Sequence, residues 1–272
     1  MKKLLVVFGG TSYSNSLAEF ALRLAKTSRS LVHGLFVGPS MVPMVQYPFP
    51  NDLALTSVDW VTTEELIYQN QKLIEANIQV LKDSCAEENI ACIIHPDTDI
   101  TLDELIDHSA FADLIVCQAN EDFGDISIRE LLADTHCPVL LVPRLANLPT
   151  RAVLCYDESF SSIWAIKMYS YLFPEWKHLP STLLSINPKG DDGLKYIDYL
   201  TDWLPQHYGN LQKQILHGNL QRELVNFIRK GNEPTIVVMG AYGRSAISRL
   251  FNQSLANVVI EETNTCVFIA HE

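Results

Sequence analysis

The sequence lacks any apolar run long enough to cross a membrane. No segment approaches the roughly 18 consecutive apolar residues that a spanning helix needs, so we predict no membrane partner. Basic residues are also scarce, with 20 Lys and Arg against 32 Asp and Glu and a formal net charge of −12 at pH 7. Because nucleic-acid-binding proteins normally carry a basic face, we predict no nucleic-acid partner either.

Metal-binding and catalytic motifs are missing too. The six cysteines form no CxxC pair and no metal-ligand spacing, and four of them fall in apolar strand-like runs. No GxGxxG follows a strand, and neither a GxSxG motif nor a phosphate-loop lysine occurs. We therefore predict no metal site, no catalytic residue and no enzymatic activity. Slow ATP hydrolysis stays open as a third class, without a candidate general base.

The histidines show no ligand spacing. His95 and His217 follow equivalent strands, and a histidine at a strand end usually satisfies a backbone group, so we interpret both as structural. His33 and His108 are scattered among other elements.

The N-terminus begins with two lysines before an apolar run, as a secretory signal peptide does. The run ends at Phe8 and no small-residue cleavage pattern follows it. We interpret the segment as the first β strand, and with cysteines of buried type this predicts a reducing, cytoplasmic location.

One order of elements occurs twice along the chain. A strand, a polar cluster and an amphipathic helix begin at Leu4 and again at Ala152, and the halves close on the apolar strands Pro138–Val142 and Cys266–Ala270. Short apolar strands alternating with helices predict an α/β fold with two tandem open parallel-sheet, Rossmann-like domains. The proline-containing segment Arg144–Thr150 separates them, which predicts domains of residues 1–147 and 148–272.

The first half contains a long helix and an additional loop. The helix is predicted over Thr63–Glu87, with Thr62 as its cap and an apolar face formed by Ile67, Ile74, Ile78, Leu81 and Cys85. The loop, Gly38–Asp59, is rich in Pro, Met, Tyr and Phe. Two interpretations stay open: an irregular segment packed over the sheet, or a lid or partner surface.

Candidate ligand-binding residues follow the strands of the second half, because ligands of open parallel sheets bind beyond the carboxyl ends of the strands. Asp157 follows the first of these strands and Gly218 the third. The fourth leads into MGAYGRSAISRLFNQS, from Met239 to Ser254. Glycines let backbone amides approach phosphate oxygens, and a helix that begins near Ser254 offers a hydroxyl and free amides.

This loop resembles the phosphate loop of the universal stress protein family, whose tandem members the two halves match across essentially the whole chain. The resemblance implies an adenine nucleotide α hydrolase-like fold and binding of ATP or another adenine nucleotide, with Mg²⁺. It implies that Asp157 contacts adenine and that Gly218 lies near the ribose. The phosphate-binding set is Gly240, Gly243 and Ser254, with Met239, Arg244 and Leu255 beside them.

The sequence departs from the family pattern at several positions. Gln253 stands where nucleotide-binding members have a third glycine, and a left-handed backbone there would cost glutamine about 1–2 kcal/mol. In the first half Gly9 stands at the position of Asp157, Pro96 replaces the glycine, and the loop Gln118–Asp125 is short and acidic. We predict that the first half does not bind ATP in the family's manner.

Two function classes follow from these residues. The first is a cytoplasmic stress-response protein that binds adenine nucleotide weakly through its second half and signals by conformation. The alternative is a nucleotide-free interaction or scaffold protein. The resemblance further implies an intrachain pseudo-dimer in which the final strands Val139–Val142 and Val267–Ala270 meet; a homodimer and a protein partner stay open.

Overall fold

The computed structural model describes residues 2–38, 63–95, 97–98, 100–119, 123–124, 126–187, 193–240 and 253–270. The strands are β1 (Lys3–Gly9), β2 (Leu31–Val37), β3 (Cys92–Ile94), β4 (Leu114–Gln118), β5 (Val139–Val142), β6 (Arg151–Cys155), β7 (Pro180–Ile186), β8 (Asn210–Leu216), β9 (Thr235–Gly240) and β10 (Cys266–Ala270). The helices are α1 (Asn15–Ser28), α2 (Thr63–Glu87), α3 (Leu102–Ser109), α4 (Ile128–Asp134), α5 (Phe160–Leu172), α6 (Ile197–His207), α7 (Leu220–Gly231) and α8 (Gln253–Thr263).

All ten strands belong to one sheet, in the order β3-β2-β1-β4-β5-β10-β9-β6-β7-β8. Neighbouring strands run parallel except at the centre, where β5 pairs with β10 in antiparallel fashion. Each half therefore repeats one strand order, read outward from the centre. The predicted α/β fold with parallel sheets is confirmed, and the two sheets form one continuous layer.

The junction of the two halves is built from their last strands. Leu141 lies opposite Val267, Leu140 opposite Phe268, and Val139 opposite Ile269. Both strands are fully buried, so unpaired edges here would leave backbone amides and carbonyls without partners. The two final strands thus meet as the sequence predicts. Between β5 and β6, residues 143–150 form neither helix nor strand.

Two helices have no counterpart among the sequence predictions. Helix α4 is only seven residues long, which is too short for a clear periodic pattern. Its capping box, Ser127 with Glu130, is nonetheless visible in the sequence as a Ser-x-x-Glu signal. Helix α6 contains Pro205, a residue that is unfavourable inside a helix. It starts after Tyr196, whose backbone is left-handed and whose side chain makes no capping hydrogen bond. The sequence therefore shows neither a capping residue nor an uninterrupted helical pattern for α6.

Helix α2 has the predicted bounds, but its apolar face is shorter than predicted. Ile74, Leu81 and Cys85 are buried against the sheet, whereas Ile67 is 37% exposed. Including Ile67 in the buried face was therefore wrong, because the first turns of the helix extend past the core. The predicted cap Thr62 and residues 39–59 of the additional loop lie outside the described residues.

The core lies on both faces of the sheet. Alternate residues of each central strand point to opposite faces, where they join two separate buried clusters under the helices. This double coverage explains why the central strands are continuous apolar runs in the sequence. Within the described part of the chain, no helix has the length and apolarity that crossing a membrane requires.

Candidate functional site

The start of α5 touches the end of β9 at the candidate site. A Cβ atom placed on Gly240 would lie 2.6 Å from the backbone carbon of Ser161 and 2.7 Å from the amide nitrogen of Ser162. Only glycine permits such a close approach of two backbones. The N-terminus of α5 therefore sits directly at the carboxyl end of β9.

Asp157 lies beside this helix start. Its Oδ1 accepts hydrogen bonds from the Ser159 amide, at 3.1 Å, and from the Ser159 hydroxyl, at 2.5 Å. Ser159 is the N-cap of α5, and its Oγ accepts from the Ser162 amide at 3.1 Å. Asp157 is half-buried and uses Oδ1 to position the helix cap. Its Oδ2 is the oxygen on which a ligand donor can bind.

The Ser161 hydroxyl is the unusual polar group of the site. Its oxygen is buried and has no hydrogen-bond partner among the described residues. It lies 2.6 Å from the position of a Cβ on Gly240. A buried hydroxyl without a partner costs about 1–3 kcal/mol. Such a group next to a helix N-terminus, where backbone amides are free, is suited to a polar or anionic ligand.

Gly218 has a structural reason to be glycine. Its φ is +136°, a backbone conformation that residues with a side chain rarely adopt, and a Cβ there would lie 3.2 Å from Cγ of Glu223. The next residue, Asn219, caps α7 by accepting from the Arg222 amide at 3.1 Å. Gly218 thus lies at the entry to α7 with the Glu223 carboxylate close by.

The structure describes the other predicted ligand residues only in part. Gly243 and Arg244 lie outside the described residues, so their roles stay predictions. Ser254 lies in the first turn of α8. Met239, in β9, and Leu255, in α8, are buried in the core.

Gln253 is the first residue of α8. The predicted cost of a left-handed glutamine backbone in a nucleotide-binding loop stays a prediction.

In the first half, the position that corresponds to Asp157 is occupied by contacts between β1, β2 and α2. The Gly10 amide donates to the Val37 carbonyl at 2.6 Å, and Asn77 Nδ2 donates to the Gly10 carbonyl at 2.9 Å. At Gly9, a Cβ would lie 2.2 Å from the Ser12 hydroxyl oxygen, which leaves little space for an aspartate. These contacts join the ends of β1 and β2 to α2 where the second half has Asp157.

The loop that follows β4 in the first half is also held by its own contacts. Phe123 and Ile126 exchange two backbone hydrogen bonds of 2.8 and 2.9 Å, and both side chains are buried. Gly124 between them has a φ of +58°. Asn120 to Asp122 and Asp125 lie outside the described residues. The contacts seen here are those of a tight turn.

Three histidines that are distant in the sequence form a cluster that the spacing analysis missed. The ring centroids are 4.5 Å apart for His95 and His108, 5.8 Å for His33 and His108, and 6.2 Å for His33 and His95. His95 Nδ1 accepts from the Asp97 amide at 3.2 Å, which is the backbone role predicted for it. Within the described residues, no three His, Cys, Asp or Glu side chains are arranged to hold a metal ion.

His33 is the buried member of this histidine cluster. It is 7% exposed, and its Nδ1 has no hydrogen-bond partner in the described part of the chain. Burial lowers the pKa of His33 to about 4, with Lys3 and the two other histidines adding to the effect. Burial and His95 also lower the pKa of His108, while Glu104 and Asp107 act in the opposite direction.

The close contact at Gly240 predicts that a larger residue there lowers the stability of the fold. We expect Gly240→Ala to lower the free energy of unfolding by about 1–3 kcal/mol, because the new methyl group meets the backbone of α5, which cannot move aside. The matched control is Gly209→Ala, where the Cβ would lie 3.4 Å from the Lys177 carbonyl oxygen. Urea unfolding of both variants measures the difference; equal stabilities would contradict the close packing.

Comparison with known proteins places the fold. No protein-family model and no curated protein matches the sequence. Among solved structures, a universal stress protein from Archaeoglobus fulgidus DSM 4304 is similar over 100% of this chain and 96% of its own, with a TM-score of 0.72 and 14% identity. A putative universal stress protein from Pseudomonas aeruginosa UCBPP-PA14 is similar over 99% and 92%, with a TM-score of 0.53 and 15% identity. The chain has the fold of these proteins.

Proposed function

We propose that the chain is a universal stress protein that binds an adenine nucleotide at the carboxyl ends of β6 and β9. The observation that carries this proposal is the buried Ser161 hydroxyl, which lacks a partner at the junction of α5 and Gly240. The whole-chain similarity in fold to universal stress proteins supports the family, and the ligand class follows from the resemblance of the Met239–Ser254 segment to the family's phosphate loop. The Ser161 hydroxyl lies in the second half, and the fold similarity concerns the chain as a whole. We therefore propose no nucleotide site in the first half.

The residues around the site fit the parts of such a ligand. Asp157 Oδ2 is an acceptor for the adenine amino group, while Oδ1 stays engaged with Ser159. The Glu223 carboxylate beside Gly218 is an acceptor for ribose hydroxyls. The phosphates, with Mg²⁺, would be held by Gly243, Arg244 and Ser254. We further propose that the chain acts by conformational signalling in the cytoplasm rather than by catalysis.

The test is thermal unfolding with and without millimolar ATP, ADP or AMP plus Mg²⁺. At 100 times its dissociation constant a ligand stabilises the folded state by about 2.7 kcal/mol, which raises the midpoint by roughly 5–10 °C for a chain of this size. We expect Asp157→Asn to reduce the shift, because asparagine keeps an oxygen for Ser159 but presents an amino group in place of Oδ2. Gly243→Gln should reduce it through the phosphate loop.

The matched control for the charge change is Asp198→Asn, on the exposed side of α6, which should leave the shift unchanged. A shift in the wild type that survives both Asp157→Asn and Gly243→Gln would mean that nucleotide binds elsewhere. The absence of any shift would reject nucleotide binding.

A second candidate, a nucleotide-free interaction protein, is favoured by an aromatic surface on α5 and α6. Phe160, Tyr171 and Tyr199 are 63%, 52% and 77% exposed. Tyr171 and Tyr199 line a cleft of about 340 Å³ together with Trp203. Exposed aromatic residues in such numbers are typical of binding surfaces. The absence of a thermal shift with every nucleotide would favour this function, and a homodimer or a second protein would then be sought at this surface.

A further inference from the structure

A cleft between α5 and α6 is lined mainly by apolar and aromatic side chains. Its volume is about 340 Å³, which lies within the range of sites for small molecules. The described lining residues include Ile163, Lys167, Tyr171, Tyr196, Tyr199 and Trp203. Four of these six side chains are aromatic, so the cleft offers several ring faces to a flat ligand.

The two walls of the cleft follow from the spacing of residues along the helices. Ile163, Lys167 and Tyr171 are four residues apart, so they lie on one face of α5. Tyr199 and Trp203 repeat this spacing on α6. The rings of Tyr171 and Trp203 approach each other, with centroids 6.3 Å apart, so aromatic side chains of both helices meet at one end of the cleft.

The other end of the cleft is held in a fixed shape around Tyr196, whose φ of +57° is unusual for a residue with a side chain. The preceding Lys195 amide donates to Glu158 Oε1 at 3.0 Å, and its carbonyl accepts from the Tyr156 hydroxyl at 2.5 Å. The Tyr196 ring stacks on Phe160, with centroids 5.6 Å apart. An unfavourable backbone that is held by such contacts is typical of ligand sites, because it positions a side chain before the ligand arrives.

Lys167 determines the charge of the cleft. Among the described residues that line the cleft, it is the only one with a charge, and it is half-buried. Its Nζ lies 5.5 Å from the centre of the Trp164 ring, and within the described part of the chain it makes no ion pair. The chain as a whole has a net charge of −12. A cation without a carboxylate partner in an apolar cleft therefore favours a negatively charged ligand.

We propose that this cleft binds a small, flat aromatic acid, whose ring packs against Tyr171, Tyr199 and Trp203 and whose carboxylate pairs with the Lys167 ammonium. None of the residues assigned to nucleotide binding is among the described residues that line the cleft. The two sites can therefore be tested independently. A second copy of the chain at the same surface is the competing occupant, which the test distinguishes from a small acid.

The test is isothermal titration calorimetry of the full-length protein with 2-naphthoate and with its uncharged counterpart 2-naphthamide. We expect 2-naphthoate to bind about tenfold more tightly, because only the acid forms the charged contact with Lys167. In Lys167→Met the two probes should bind equally, since methionine keeps most of the apolar stem and removes the charge. Tyr199→Ser should weaken both probes alike, because Tyr199 supplies ring contact and no charge.

The matched control for the charge change is Lys230→Met on α7. Helix α7 packs on the core cluster at the opposite face of the sheet from α5 and α6, so this variant should keep the preference for the acid. Asp157→Asn should keep it as well. Loss of 2-naphthoate binding in Asp157→Asn would place the acid at the candidate nucleotide site and would overturn the proposal.

Several other results would contradict the proposal. Tyr199 is 77% exposed, so Tyr199→Ser keeps the test decisive even if a variant at the half-buried Lys167 fails to fold. No heat with 2-naphthoate at millimolar concentration, or equal binding of the two probes to the wild type, would reject an acid ligand. So would a preference for the acid that persists in Lys167→Met. A dimer in sedimentation that Tyr199→Ser dissociates, together with no binding of 2-naphthoate, would assign the surface to a second copy instead.

Discussion

Tyr169→Ala should lower the free energy of unfolding by about 3–5 kcal/mol, which corresponds to a fall of roughly 10 °C in the midpoint of thermal unfolding. Tyr169 lies on α5 and is 2% exposed. Its ring centroid is 5.5 Å from that of Phe173, 6.2 Å from Trp176 and 5.7 Å from Phe268. Because Phe268 belongs to β10, truncation opens a cavity against the strand that joins the two halves.

Two variants that differ by a single hydroxyl refine this prediction. The Tyr169 hydroxyl is buried without a hydrogen-bond partner among the described residues, so Tyr169→Phe should leave stability unchanged or raise it. The neighbouring Tyr208 donates to the Ile166 carbonyl at 3.0 Å, so Tyr208→Phe should cost about 1 kcal/mol.

Urea unfolding of the three variants and the wild type provides the measurement. A loss below about 1 kcal/mol for Tyr169→Ala would contradict the central packing role of Tyr169. A larger loss for Tyr169→Phe than for Tyr208→Phe would mean that the Tyr169 hydroxyl does have a partner.

We expect the protein to lose about 1–2 kcal/mol of stability between pH 6.5 and pH 4 through His33 alone. The pKa of His33 is lowered from 6.5 to about 4 in the folded protein, so in this interval the unfolded chain binds a proton that the folded chain does not. The contribution of His33 is complete above pH 6.5 and is lost as pH falls to 4. Each pKa unit corresponds to about 1.4 kcal/mol, and we take about half of the full value because solvent screens part of the effect.

Other groups face His33 and contribute to the same pH interval. Lys3 lies on the neighbouring strand β1, and His95 and His108 approach from the end of β3 and from α3. Glu104 and Asp107 act on His108, whose pKa they shift upward. His108 has a lowered pKa as well, so it adds to the loss of stability in acid. Carboxylates such as Glu104, whose pKa is lowered by hydrogen bonds from Thr101, act at lower pH.

Comparison of His33→Gln with the wild type isolates the contribution of His33. Glutamine does not titrate, so the unfolding free energy of the variant should fall less steeply between pH 6.5 and pH 4. The control is His178→Gln at an exposed position, which should follow the wild-type curve. Parallel curves for His33→Gln and the wild type would show that His33 is protonated in the folded protein near its ordinary pKa.

Most of the secondary structure could be predicted from the sequence, because each prediction depended on a local pattern. Strand β10, for example, is a short apolar run, and its observed bounds match the predicted Cys266–Ala270. Helix α2 has the predicted bounds for the same reason. Prediction failed where the local pattern was weak, in the seven-residue α4 and in α6 with its internal proline.

For the candidate site, the sequence predicted which residues follow the ends of the strands but not which of them are in contact. That Asp157 and Gly240 follow parallel strands was enough to place them at one edge of the sheet. The contact between Gly240 and Ser161, and the buried hydroxyl that it leaves without a partner, depend on how α5 packs against β9. No spacing in the sequence encodes that distance.

By itself, the sequence determined the alternation of strands with most of the helices, the repetition of that order, and the burial of the central strands, since hydrophobic periodicity acts over a few neighbouring residues. Only the tertiary structure decided which polar side chains meet. His33 on β2, for example, meets His108 on α3 with their ring centroids 5.8 Å apart, which the spacing of the histidines did not predict. Such contacts arise from strand register and helix packing, which bring together residues that no local pattern relates.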